Sequence, residues 1–103
     1  MEIELDAFSG RPNPVWTLTD EEARELQALL AAATEPVAAP SEALGYRGFV
    51  VRAAADSPPR RVYAGRVQSG TAYRADTRDA EAWLIRYATA QGFAAVFAHL
   101  PQR

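Results

Sequence analysis

The sequence predicts a two-layer α+β domain: a small mixed or antiparallel sheet of three to four strands packed against two main helices, in the order β-α-β-β-(β)-α. Three observations carry this expectation. Residues 2–7 alternate strictly between acidic and apolar side chains, the period-two signature of a half-buried strand. Two later stretches place apolar residues at helical spacing. Between those stretches, aromatic and β-branched runs are separated by Gly, Ser and Pro clusters, the pattern of strands joined by turns.

In Glu2-Ile3-Glu4-Leu5-Asp6-Ala7, the apolar residues Ile3, Leu5 and Ala7 share one face and three carboxylates the other. Val15-Trp16-Thr17-Leu18 follows as a short extended lead-in. Thr19-Asp20-Glu21-Glu22 reads as a capping box, with Thr19 at the N-cap and Glu22 three residues on. Ala23, Leu26, Leu30 and Ala33 then fall on one stripe, with Leu29 beside it. Pro36 ends this helix, and residues 36–40 form a loop. Tyr46 to Ala53 is the best candidate for a central strand. Asp56-Ser57-Pro58-Pro59 turns the chain, Arg61 to Val67 returns as the second arm of a hairpin, and Thr71 to Arg74 offers a short third arm. Asp76 or Thr77 starts the second helix, whose stripe is Ala80, Trp83, Leu84, Tyr87 and Ala88. Gly92 is placed to end it in a left-handed conformation, with Phe93 as the accompanying apolar contact. Residues 93–100 are compatible with a short helix or a strand, and Pro101 stops either.

The 103 residues suffice for one domain over 1–103, with apolar content of 49% and charged content of 23%, ordinary for a globular chain. No apolar run approaches a membrane span, and the acidic N-terminus lacks a signal peptide's basic start and apolar centre. A cytoplasmic location and a composition bacterial in style are therefore expected. The chain has no cysteine and no lysine; its eleven basic residues are all arginine, beside 22 alanines. Thiol nucleophiles, thiolate metal sites, Schiff-base lysines and a Walker-type phosphate lysine are thereby excluded. A lone histidine, His99, excludes a histidine-based metal cluster. No serine sits in a nucleophile-elbow pattern. No cofactor is expected. The net charge of −2 hides an asymmetry, because residues 1–45 sum to −7 and residues 46–103 to +5.

One stretch is specified for more than folding: Phe8-Ser9-Gly10-Arg11-Pro12-Asn13-Pro14-Val15-Trp16. Pro12 and Pro14 fix their own φ and push Arg11 and Asn13 out of the α region. Gly10 is free to turn the chain. The result is a stiff arc presenting Ser9, Arg11 and Asn13, with the Trp16 indole at its end. Arg11 supplies a planar fork for carboxylate or phosphate, and Asn13 an amide donor and acceptor. Tyr46 and Arg47 are added as neighbouring binding residues of the hairpin region. The structural alternative is a rigid corner in which Trp16 is core and Arg11 pairs with an acid such as Asp6. Arginines interleaved with Tyr46, Phe49, Tyr63 and Tyr73 suit stacking on single-stranded bases. The acidic first strand offers those arginines partners within the sheet instead, so nucleic acid is not the expected ligand.

The expectation is thus a non-catalytic accessory or binding domain that holds a partner protein, peptide or anionic small molecule through its Ser-Gly-Arg-Pro-Asn-Pro loop. The alternatives are a small carboxylate-dependent enzyme, with an acid such as Asp6 as base and Arg11 as clamp, and a self-associating structural domain.

Overall fold

A computed structural model describes residues 1–8, 10–41, 45–53 and 57–98. Ser9, Asp56, His99 and Pro101, which figure in the sequence-based expectations, lie outside the described residues. The domain is α+β as expected, but its sheet has six strands rather than three to four, all antiparallel. They are β1 (Glu2–Leu5), β2 (Val15–Thr17), β3 (Phe49–Arg52), β4 (Arg60–Tyr63), β5 (Arg66–Ser69) and β6 (Ala72–Ala75), in the order β2-β1-β3-β4-β5-β6.

Two local causes raise the count. The Val15–Thr17 lead-in is a strand in its own right, because it runs back along β1 with Trp16 opposite Ile3. The run expected as one arm from Arg61 to Val67 is folded at Ala64 and Gly65, both at positive φ (55° and 76°). Two consecutive positive φ values make the tight two-residue hairpin turn whose twist matches the flanking strands. Alanine rarely takes that conformation, so its presence hides the turn. The third arm is real: Ala72–Ala75 pairs with β5 along its whole length.

The helix α1 (Asp20–Ala31) opens on the expected capping box: Thr19 Oγ1 accepts from Glu22 N–H at 3.1 Å, and Glu22 Oε1 from Thr19 N–H at 2.9 Å. The second helix, α2 (Ala80–Ala88), starts later than Asp76 or Thr77 because Asp79 is held left-handed at φ 58°. Asp76 still caps it from outside, taking the Ala80 and Glu81 amides at 2.7 and 2.9 Å. Gly92 ends the following turn at φ 99°, and Ala94–Phe97 forms a short 3₁₀ turn.

The core lies between one sheet face and the two helices. Ile3, Leu5, Phe49, Val51 and Val62 are fully buried there against Leu26, Leu84 and Ala88. The other face carries no helix among the described residues. It shows the acids of β1 beside the arginines of β3 and β4. Arg52 bonds Glu4 at 2.7 Å and Glu2 at 3.4 Å, and Arg61 bonds Asp6 at 2.7 Å. The opposed charges of the two chain halves thus meet on this face: Arg52 pairs across the neighbouring β1 and β3, as cross-strand pairing favours, and Arg61 of β4 reaches past β3 to Asp6, just beyond the end of β1. None of the described helices is long and apolar enough to cross a membrane.

The two outer edges of the sheet differ. Beside β6, residues 35–37 add a further short ladder: Ala75 N–H donates to Glu35 O at 2.8 Å, and Val37 N–H to Tyr73 O at 3.0 Å. Beside β2, no element among the described residues is paired.

Candidate functional site

The arc between β1 and β2 is organised around Asn13. Its Oδ1 accepts from the Ala7 and Phe8 amides at 3.4 and 3.2 Å, and its Nδ2 donates to Glu4 Oε2 at 3.0 Å. The carboxamide expected to face a ligand is turned inward, because the end of β1 leaves two amides that no strand satisfies. Pro12 and Pro14 hold the backbone so that a side-chain amide can take the place of a ladder partner. Asn13→Ala should therefore lower unfolding stability by about 1–2 kcal/mol, readable in a urea melt. No loss of stability would make the tie irrelevant.

Arg11 is turned the other way. It is exposed, its guanidinium carbon lies 4.0 Å from the centroid of the Phe8 ring, and among the described residues no carboxylate stands within ion-pairing distance. The structural alternative named Asp6 as its partner, but Asp6 is taken by Arg61. Phe8 begins a row of half-buried rings. Phe93 meets Phe8 edge-on at 6.2 Å and Trp16 at 5.4 Å, Trp16 meets Tyr87 at 5.8 Å, and Tyr87 stacks on Trp83 at 5.9 Å. Burial in this row raises the pKa of the Tyr87 hydroxyl, and the nearby Glu22 charge adds to the effect. Trp16 is thus shared between core and surface, and Phe8 and Phe93 connect it to Arg11.

Tyr46 and Arg47 belong elsewhere. Tyr46 is buried, its hydroxyl donates to Glu81 Oε2 at 2.7 Å, and its ring packs on Phe49, Tyr63 and Phe97. Arg47 is exposed, and its backbone closes the sheet end: its N–H donates to Asp6 O at 2.7 Å, and its carbonyl accepts from Arg61 at 2.9 Å. Of the residues expected at the site, Arg11, Asn13 and Trp16 are brought together, whereas Tyr46 serves the interior.

Val15 and Thr17, which the sequence did not single out for binding, complete the surface. Leu5 N–H donates to Pro14 O at 3.0 Å and Leu18 N–H to Met1 O at 2.9 Å. Backbone groups alternate along a strand, so Pro14, Trp16 and Leu18 face β1 while Val15 and Thr17 turn theirs outward. Val15 is also 47% exposed, unusual for a large apolar residue among the described residues. The only sequence sign was an isolated valine flanked by Pro14 and Trp16.

The arc also acts on the titration of Glu4. Hydrogen bonds from Arg52 first and Asn13 second hold its carboxyl below the usual glutamate range, against partial desolvation. A depressed folded-state pKa contributes stability that is complete above the unfolded value, about 4.3, and is lost as pH falls through the folded one. Glu4→Gln should therefore flatten the decline of Tm below about pH 4.3. Melts of both proteins with parallel acid limbs would contradict this.

The uncovered sheet face holds open clefts, one of about 300 Å³ between Val50, Pro59, Arg61 and Gln68, and one of about 460 Å³ between Met1, Thr17, Arg52 and Ser57. Asp6 lines neither. Among the described residues no three His, Asp or Glu side chains gather as a metal site would require. No family model, curated protein or solved structure matches the chain.

Proposed function

We propose that this is a non-catalytic binding domain that accepts an extended segment of a partner protein along the outer side of β2, with Arg11 gripping a carboxylate of that segment. The observation that carries the reading is the bare β2 edge beside an exposed guanidinium that has no carboxylate partner among the described residues. Strand addition draws affinity from main-chain groups and specificity from the side chains on either face. Here Val15 and Thr17 supply the main-chain groups, and Trp16 with its neighbouring rings supplies an apolar flank. Arginine suits the polar contact because its planar fork takes a carboxylate through two parallel bonds. Asn13 then acts indirectly, by stiffening the arc so that little order is lost on binding.

Affinity capture from the native host, with partners identified by mass, tests this. A partner held by the wild-type protein should be lost with Arg11→Glu and with Thr17→Pro, which removes an outward N–H. It should be kept by Arg78→Glu, a change to an exposed arginine outside the arc. Full retention by both edge variants would overturn the reading.

A further inference from the structure

We infer that the strand accepted at this edge is β2 of a second copy, paired antiparallel about a two-fold axis at Trp16. The inference rests on the strand-addition reading above and names the partner. Its first support is register. Val15 and Thr17 both turn their backbone groups outward, so antiparallel pairing sets Val15 of each copy opposite Thr17 of the other. Each such pair exchanges two hydrogen bonds. Trp16 of one copy then lies opposite Trp16 of the other, on the helical face, and the two rows of rings run together.

The second support is charge. Arg11 stands N-terminal to β2, while Asp20, Glu21 and Glu22 form the first turn of α1 just C-terminal to it. Antiparallel pairing lays the basic end of each strand against the acidic end of its mate, so both Arg11 forks meet acids. Parallel pairing would set like charges together. The third support is the contrast between edges. Residues 35–37 cover β6, which leaves β2 as the edge bare among the described residues. A pair joined through β2 is therefore closed, with the same patch used on both sides.

Light-scattering and sedimentation masses from about 1 μM to about 1 mM span the range expected of so small an interface. The mass should climb from 11.2 kDa toward twice that value. Arg11→Glu and Glu21→Arg should each weaken association by about tenfold or more. Mixing the two single variants should restore it, because both contacts in the mixed pair then join opposite charges. Thr17→Pro should hold the mass at one chain, and circular dichroism would verify that this variant folds. A wild-type mass of one chain throughout overturns the second copy as partner, and so does association untouched by all of these changes. Capture of a different protein, lost with Thr17→Pro, would then leave strand addition standing. Absence of both would remove the two readings together.

Discussion

Gly48→Ala should destabilise the protein by about 3–5 kcal/mol, a large part of the total stability of a chain this size. Gly48 lies just before β3 at φ +89°, a conformation that a Cβ disfavours. The space is closed as well: a Cβ built there would stand 2.2 Å from the Val62 carbonyl oxygen and 2.6 Å from the Tyr63 Cβ. Neither neighbour can retreat cheaply, because Val62 is fully buried and paired with Phe49 across β3 and β4. The Gly48 carbonyl also accepts the Asp6 amide at 3.0 Å, so displacement would reach β1. Chemical denaturation checks this. Gly70, with nothing within 4 Å of its built Cβ, serves as a control for backbone effects at positive φ. Equal losses at the two sites would show that crowding plays no part.

Glu81→Ala is expected to cost about 3 kcal/mol, from buried polar groups left without their partner. Glu81 is 1% exposed, and its carboxylate accepts from the Tyr46 hydroxyl at 2.7 Å and the Gly65 amide at 3.0 Å. It therefore joins α2 to the segment before β3 and to the turn between β4 and β5. Glu81→Gln keeps the shape and one acceptor, so it should recover part of the loss. Thermal melts of both variants test the assignment. If alanine and glutamine cost the same small amount, the carboxylate does not organise these segments.

Glu81 also marks where sequence reading stopped. Its neighbours on the stripe, Ala80, Leu84 and Ala88, are buried as their spacing predicts, but a glutamate among them reads as solvent-facing until its partners are known. Those partners are 35 and 16 residues away in the chain. Features set by nearby residues were legible: the Thr19–Glu22 box, the alternation of β1, the left-handed Gly92. The pairing of β1 acids with later arginines was legible from charge layout alone. The direction of Asn13 was not, because it depends on amides at the end of β1 that need a partner. For the same reason β2 was visible only as an extended segment, since three residues become a strand through the neighbour they lie against.

The clasp made by Asn13 has a chemical lifetime as well as a mechanical role. Asparagine ordinarily loses its side-chain nitrogen when the next backbone nitrogen attacks the amide carbon and closes a ring. Here the next residue is Pro14, whose nitrogen carries no hydrogen and cannot serve as that nucleophile. The proline that shapes the hairpin also protects its fastening from this route of ageing.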